Sequence, residues 1–186
     1  MRTGAVVLCA GAGTRYQAPD GGHKMLALFR GRPLVSWALG HALDAGLEMT
    51  MAVTGAVDLG GVLPEGVEAL PNAEWALGIA TSLQVAVARA RAVGLDAVVV
   101  GLGDQPLVPA SAWRAVAASS APVAVATYSG ARHNPVRLAR TVWDDLPRTG
   151  DEGGRALMRA NPQLVAEIPC PGSPADVDTV ADLREL

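Results

Sequence analysis

Short apolar runs alternate along the chain with longer segments in which apolar residues recur at helical spacing. The runs predict β-strands at residues 4–10, 49–53, 67–70, 96–102, 123–128 and 164–168. The amphipathic segments predict α-helices at residues 33–45, 79–93, 138–146 and 152–159, and a final helix after residue 178. This alternation is typical of βαβ units that build a largely parallel sheet. The sequence therefore predicts an α/β, Rossmann-like fold.

Length and composition narrow the class of protein. A chain of 186 residues is the size of one ordinary domain, so a single domain over residues 1–186 is expected. Hydrophobic residues make up 50% of the chain but aromatic residues only 4%, which favours helices packed on an aliphatic sheet over an all-β sandwich. No internal repeat or linker indicates a second domain.

Charge and cysteine usage argue against several kinds of partner. The formal net charge is -3 and the basic residues form no block, so nucleic acid is not an expected partner. No segment reaches the roughly 18 apolar residues of a membrane span. Cys9 and Cys170 are far apart and lack the spacing of a zinc site or a disulfide framework. A reducing compartment, the cytoplasm, is therefore expected.

A glycine-rich segment follows the first predicted strand and carries the strongest functional signal. It reads Leu8-Cys9-Ala10-Gly11-Ala12-Gly13-Thr14-Arg15, with Lys24 further on. Glycines after a strand let backbone N–H groups close around an anion, and the two cations add charge for a polyphosphate. The segment lacks the Gly-Lys-Ser/Thr of a Walker loop, and Tyr16 replaces the third glycine of a dinucleotide fingerprint. A tight turn remains the alternative explanation for the glycines.

Two aspartates are candidate metal ligands. Asp104 follows the predicted strand at 96–102, at the strand end where open parallel sheets place their ligands. Mg²⁺ needs few protein carboxylates because waters and phosphate oxygens complete its coordination. Asp178 lies just ahead of the final helix, so it is either a second ligand or a helix cap. For Asp104 the alternative role is that of a turn former before Pro106.

These segments together resemble the MobA-like nucleotidyltransferase family over nearly the whole chain, and within it the molybdenum cofactor cytidylyltransferases. Besides the glycine-rich loop, the matching segments are residues 72–82, 103–107, 150–153 and 176–179. The resemblance implies a three-layer Rossmann-like nucleotidyltransferase fold with a mostly parallel central sheet. It also implies a Mg²⁺-dependent, cytoplasmic enzyme.

The resemblance assigns roles to particular residues. Arg15, Lys24 and Asp104 are the implied catalytic residues, and Asp104 and Asp178 the implied Mg²⁺ ligands. The implied nucleotide-binding residues are Leu8, Ala10, Gly11, Ala12, Gly13, Thr14, Asn72, Gly78 and Ser82. Trp75, in the same region, is either a core or lid residue or a ligand contact.

The acceptor side departs from the family pattern. His133 and Asn134 are the implied acceptor-binding residues, in a polar turn where Asn134 is inserted between His133 and Pro135. The loop between Arg15 and Lys24 is longer than is usual in the family, and a mobile lid is expected there.

The implied reaction transfers CMP from CTP to molybdopterin and releases pyrophosphate. Its product, a dinucleotide cofactor, is delivered to a molybdoenzyme. Ala10 stands where guanylyl-transferring relatives commonly carry a second glycine, which favours CTP over GTP. Transfer to another phosphorylated acceptor, such as a sugar phosphate, is the nearest alternative. An NAD(P)H-dependent oxidoreductase is another, although residues 51–54 offer no carboxylate for a ribose. A third is a cofactor-insertion chaperone. A monomer or weak dimer is expected.

Overall fold

The computed structural model describes residues 1–18 and 21–186. Within the described residues the strands are β1 (Thr3–Leu8), β2 (Leu28–Phe29), β3 (Arg32–Pro33), β4 (Thr50–Thr54), β5 (Val67–Pro71), β6 (Ala97–Leu102), β7 (Val123–Tyr128), β8 (Ala131–Ala139) and β9 (Val165–Pro169). The helices are α1 (Leu34–Asp44), α2 (Ile79–Ala92), α3 (Ala110–Ala117), α4 (Gly154–Ala160) and α5 (Val180–Glu185). Pro19 and Asp20, in the predicted lid, lie outside the described residues.

The described strands form a seven-stranded central sheet in the order β5-β4-β1-β6-β8-β7-β9, and β2 and β3 form a small separate hairpin. β1 pairs in parallel with both β4 and β6, while β8 runs antiparallel to β6 and β7. The mostly parallel sheet confirms the predicted fold class. Its parallel half brings the carboxyl ends of β1, β4 and β6 to one edge, where a ligand site is expected.

Apolar side chains on the two faces of the sheet build two hydrophobic layers. Alternate residues of β1 divide between them: Val6 and Leu8 pack with α2, whereas Ala5 and Val7 pack towards α1 and α3. A strand buried on both faces explains why β1 reads as a continuous apolar run. Helices therefore cover both faces, as the three-layer prediction requires.

The helix predicted at 138–146 is confirmed only over residues 140–145, and there as a 3₁₀ helix. β8 extends to Ala139, and a 3₁₀ helix, Arg140–Asp145, follows it. The chain reverses between β7 and β8 at Ser129 and Gly130, whose φ angles are 50° and 83°. Two consecutive residues with positive φ are typical of the tight turn of a hairpin. Pairing with β6 and β7 holds residues 131–139 in an extended conformation that their own spacing of apolar residues did not indicate.

Two further elements escaped prediction. α3 is only eight residues long, and it buries Trp113 against the sheet. The β2–β3 hairpin contains two residues per strand, too few for a recognisable alternation. In the part of the chain that the structure describes, no helix combines the length and hydropathy needed to cross a bilayer.

Candidate active site

The glycine-rich loop leaves the sheet after β1 and turns over the residues around Lys24. Gly13 has a φ of +63°, and a Cβ there would lie 3.0 Å from Cγ of Lys24. Only glycine meets both conditions without strain. Among the described residues, the backbone N–H groups of residues 11–15 have no hydrogen-bond acceptor. A run of such N–H groups at the carboxyl end of a strand is suited to binding an anion.

Lys24 lies at the centre of a cluster of charged side chains. Its Nζ is 2.6 Å from Oδ2 of Asp104 and 3.3 Å from Oδ1 of Asp178. Nη1 of Arg15 lies 2.8 Å from the other oxygen of Asp178. The side chain of Lys24 is 9% exposed, whereas that of Arg15 is 75% exposed. The fold thus brings together the four predicted charged residues from three distant parts of the chain.

Helix α5 is capped by Thr179 and not by Asp178. The hydroxyl of Thr179 accepts from the backbone N–H of Asp182, and the carboxylate of Asp182 accepts from the backbone N–H groups of Asp178 and Thr179. This capping box leaves the side chain of Asp178 to contact Lys24 and Arg15. The alternative of Asp178 as the helix cap is therefore wrong.

Asp104 and Asp178 suit a divalent cation. Both already share the ammonium group of Lys24, and Oδ1 of Asp104 is buried without a hydrogen-bond partner among the described residues. No group of three His, Cys, Asp or Glu side chains in the described ranges is arranged to hold a metal. Mg²⁺ tolerates such a sparse set because phosphate oxygens and waters supply its remaining ligands.

A cavity of about 520 Å³ opens between the glycine-rich loop and the start of α2. Because the predicted phosphate-binding loop and Lys24 line it, we call it the phosphate-side cavity. Of the predicted site residues, its lining includes Leu8, Ala10, Gly11, Ala12, Gly13, Thr14, Arg15, Lys24, Gly78, Ser82, Asp104 and Asp178. Trp75, Ile79 and Asp151 also line it. The predicted nucleotide-binding residues thus surround one cavity, with Asn72 as the exception.

Asn72 is buried behind the cavity wall. Its Nδ2 donates to the hydroxyls of Thr81 and Ser82, each at 2.9 Å, and its Oδ1 accepts from the backbone N–H of Glu74. These bonds use both amide hydrogens. The structure places Asn72 where it orients Ser82. Direct contact with a nucleotide stays a prediction for both residues, and of the two only Ser82 lines the cavity.

Gly78 joins the entrance of α2 to the segment at Gly150. A Cβ on Gly78, whose φ is +105°, would lie 2.5 Å from the carbonyl of Gly150. Two backbone hydrogen bonds, from Gly150 to Leu77 at 2.9 Å and from Ala80 to Gly150 at 3.0 Å, hold the segments together. This contact brings Asp151 to the cavity; the resemblance included its segment, 150–153, but assigned Asp151 no role. α4 begins after it, at Gly154.

A second cavity, of about 420 Å³, adjoins the first. Because the predicted acceptor residues His133 and Asn134 line it, we call it the acceptor-side cavity. Leu8, Ile79, Leu102 and Asp151 line both cavities. Its floor consists of apolar side chains from the sheet and α4, namely Val100, Val125, Val136, Leu138 and Met158. Its rim is polar and includes Arg132, His133, Asn134, Arg155 and Arg159.

His133 and Asn134 line the acceptor-side cavity from β8 and not from a turn, so their predicted secondary structure is wrong. The register of β7 with β8 shifts where Val125 pairs with Val136 but Ala126 pairs with His133. Asn134 and Pro135 are the extra residues, and a β-bulge accommodates them. The bulge in β8 thus accommodates the inserted Asn134. Both His133 and Asn134 line the cavity.

Sequence reasoning gave no role to Gln105. This buried side chain donates from Nε2 to Oδ1 of Asp176 at 2.7 Å, and both residues line the acceptor-side cavity. Burial, together with the charge of Asp104, raises the pKa of Asp176 above its ordinary value. The position of Gln105 next to Asp104 was the available signal.

Solved structures with the same fold include nucleotidyltransferases. The chain is 28% identical to Rv0371c from Mycobacterium tuberculosis H37Rv, with a TM-score of 0.83 and coverage of 99% of this chain and 96% of that one. A structure of Rv0371c in complex with manganese gives 28% identity, a TM-score of 0.77 and coverage of 100% and 98%.

The inositol-1-phosphate CTP transferase from T. maritima is 19% identical, with a TM-score of 0.74 and coverage of 98% and 91%, which is a likeness of fold. No curated protein matches the chain. The family model of the MobA-like NTP transferase domain matches residues 5–166, and the chain belongs to that family.

Proposed function

We propose that this protein is a Mg²⁺-dependent cytidylyltransferase that transfers CMP from CTP to molybdopterin and releases pyrophosphate. The observation that carries the proposal is the cluster of Lys24, Asp104, Asp178 and Arg15 beneath the glycine-rich loop. Membership of the NTP transferase family supports nucleotidyl transfer as the reaction type. The manganese complex of Rv0371c supports a divalent cation in a related protein.

Charge neutralisation and positioning account for the proposed chemistry. A phosphate oxygen of the acceptor attacks the α-phosphorus of the triphosphate, and the bond to the bridging oxygen of the β-phosphate breaks as pyrophosphate leaves. An anionic nucleophile needs no general base. The N–H groups of residues 11–15, which have no acceptor among the described residues, and the guanidinium of Arg15 bind the departing phosphates. Lys24 contacts the phosphate chain. Asp104 and Asp178 would hold the cation, which supplies further charge stabilisation when bound.

The acceptor-side cavity supports molybdopterin over a sugar phosphate. The reacting phosphate must lie where the two cavities meet, beside Leu8 and Asp151, so the rest of the acceptor extends over the apolar floor. Hydroxyl groups of a sugar or cyclitol would lose hydrogen bonds to water against Val100, Val136 and Leu138. A planar ring system with polar edges fits this floor and the arginine-containing rim. His133 and Asn134 remain the proposed acceptor contacts.

The nucleotide preference rests on Ala10, which is 5% exposed and borders the phosphate-side cavity. A methyl group in place of a glycine hydrogen reduces the room at this wall. The smaller cytosine ring suits it better than guanine.

Thermal unfolding with CTP, GTP, ATP, UTP or NADPH, each with and without Mg²⁺, tests the nucleotide. A ligand at 100 times its Kd stabilises the native state by about 2.7 kcal/mol. We expect the largest Mg²⁺-dependent rise in Tm with CTP. A rise with NADPH alone would instead support the oxidoreductase alternative.

Pyrophosphate release in the presence of molybdopterin or inositol 1-phosphate tests the acceptor. We expect turnover with molybdopterin. Turnover with inositol 1-phosphate alone would overturn the acceptor assignment and leave the nucleotidyl-transfer chemistry in place. Binding of molybdopterin or its dinucleotide without pyrophosphate release would favour the insertion chaperone.

A further inference from the structure

His23 links the two segments that surround the phosphate-binding N–H groups. It is half-buried and precedes Lys24 at the start of a 3₁₀ turn, Lys24–Leu26. Nδ1 of its ring accepts from the backbone N–H of Met25 at 3.2 Å, and Nε2 lies 3.0 Å from the carbonyl oxygen of Gly11. One ring therefore connects the turn that carries Lys24 to the first glycine of the loop.

These two contacts determine the tautomer of His23. A backbone N–H only donates, so Nδ1 must be without a hydrogen to accept from Met25. Nε2 then carries the ring hydrogen and donates it to the carbonyl of Gly11. Burial, followed by the charge of Lys24, lowers the pKa of His23, although the backbone at Gly11 and Ala12 opposes this lowering. The neutral ring is thus the form that suits both contacts.

The bond to Gly11 also orients the loop. In a trans peptide the C=O of one residue and the N–H of the next point in opposite directions. When the carbonyl of Gly11 faces His23, the N–H of Ala12 faces away from the ring. Ala12 lines the phosphate-side cavity, and its N–H has no acceptor among the described residues.

The loop also packs directly on His23 and Lys24. A Cβ on Gly13 would lie 3.6 Å from Nε2 of His23 and 3.0 Å from Cγ of Lys24. The loop at Gly13 is therefore in contact with both side chains. The hydrogen bond fixes the loop's orientation at the same point.

We propose that His23 is a positioning residue for the triphosphate: its Nε2–H holds the carbonyl of Gly11 so that the loop N–H groups and Lys24 face the same phosphate chain. This inference rests on the proposed nucleotidyl transfer. It assigns His23 no contact with the phosphates and no proton transfer.

Two substitutions separate the bond to Gly11 from the bond to Met25. In His23→Asn the side-chain oxygen can replace Nδ1 as the acceptor for Met25, but the side chain is too short to reach Gly11. In His23→Gln the longer amide can replace Nε2–H as the donor to Gly11 and leaves Met25 unpaired. His41→Asn, on α1, is the matched control.

The readouts are the Kd of CTP with Mg²⁺ by calorimetry, and KM and kcat from pyrophosphate release. We expect His23→Asn to weaken CTP binding about 3- to 10-fold, the range for one neutral hydrogen bond. KM should rise more than kcat falls, because the loop binds the phosphates before and during the reaction. His23→Gln should restore most of the affinity, and His41→Asn should match the wild type.

The opposite pattern, with His23→Asn binding CTP like the wild type and His23→Gln impaired, would assign His23 to capping the turn and overturn the proposal. If the wild-type protein bound no triphosphate, the proposed function would fail together with this inference. If the wild type binds CTP and all variants bind it equally well, the inference alone is overturned.

A ligand-free measurement tests the underlying geometry. Two-bond ¹H–¹⁵N spectra of the histidine rings distinguish the two neutral tautomers, and His23→Asn identifies the signal of His23 among the three histidines. We expect the Nε2–H tautomer at neutral pH. The Nδ1–H tautomer would contradict the bond to Gly11 and overturn the proposal.

Discussion

The phosphate-side cavity and the acceptor-side cavity share a wall but are built in different ways. In the first, charged side chains from separate segments contact one another: Lys24 joins Asp104 and Asp178, and Asp178 also joins Arg15. In the second, the floor is aliphatic, and Arg132 and Arg159 on the rim pair with Glu167 and Glu152.

The contrast indicates that the reaction chemistry and the choice of acceptor depend on different parts of the sheet. The phosphate-side cavity lies at the carboxyl ends of the parallel strands β1 and β6. The floor of the acceptor-side cavity depends on β8, the antiparallel strand, and on the bulge opposite Val125. Substitutions in the first region should reduce turnover with every acceptor, whereas those in the second should change the KM of the acceptor.

Asp104→Asn should have the largest effect. It removes a carboxylate that contacts Lys24 and is positioned to hold the cation, so we expect kcat/KM to fall by about 10³-fold, as for loss of one strong electrostatic contact. Steady-state pyrophosphate release measures it. Asp144→Asn, in an exposed ion pair with Arg91, is the control and should retain activity. A decrease below 10-fold would contradict the assigned role.

Lys24→Met tests how much the cluster of Lys24, Asp104 and Asp178 contributes to the free energy of unfolding. It leaves the carboxylates of Asp104 and Asp178 facing each other without their shared cation. Because the side chain of Asp178 is 25% exposed, we expect the free energy of unfolding to fall by about 2–3 kcal/mol, less than for a fully buried ion pair. Urea unfolding measures it, and Mg²⁺ should stabilise the variant more than the wild type.

The control for Lys24→Met is Arg89→Met, which breaks an ion pair of similar length on the surface, with Glu68. It should change the free energy of unfolding by less than about 1 kcal/mol. Equal losses in the two variants would show that the cluster has no special role in stability.

Gly78→Ala should destabilise the wall between the cavities. The backbone of Gly78 lies in the left-handed region, and the new Cβ would meet the carbonyl of Gly150. We expect a loss of about 2 kcal/mol from strain of this kind, measured by urea unfolding. Gly40→Ala is the matched control: within α1, where a Cβ meets nothing, it should gain about 0.5–1 kcal/mol.

Val136→Thr tests the apolar floor alone. The change keeps the shape of the side chain but places a hydroxyl against the acceptor, at a cost of about 1 kcal/mol. We expect the KM of the acceptor to rise about 5-fold. The KM of CTP should stay constant. An equal rise in both KM values would contradict the separation of the two cavities.

Asp182→Ala should have the smallest effect, because it removes only hydrogen bonds at the start of α5, to the backbone of Asp178 and Thr179. Hydrogen bonds from the backbone N–H groups of Asp178 and Thr179 hold the pKa of Asp182 below its ordinary value. Its contribution to stability is therefore present above the ordinary pKa and is lost as the pH falls through the lowered one. Thermal unfolding of both proteins from pH 6 to pH 3 should show their difference shrinking.

Local signals made the phosphate-side cavity predictable. Glycines after a buried strand, with Lys24 following, indicated a phosphate loop, and the position of Asp104 after β6 placed it at the same sheet edge. Asn72 shows the limit of such signals: its segment was recognised, but only the packing of α2 decides that Ser82 faces the cavity and Asn72 supports it.

The sequence by itself determined the alternation of strands and helices, the aliphatic sheet and the charged residues that meet at its edge, because these depend on short-range patterns and on the geometry of parallel sheets. The tertiary structure alone decided that residues 131–139 form an antiparallel strand, that a bulge places His133 and Asn134 at the acceptor-side cavity, and that His23 reaches Gly11. Each of these depends on contacts between segments distant in the chain, whose energies outweigh the local preferences of the residues involved.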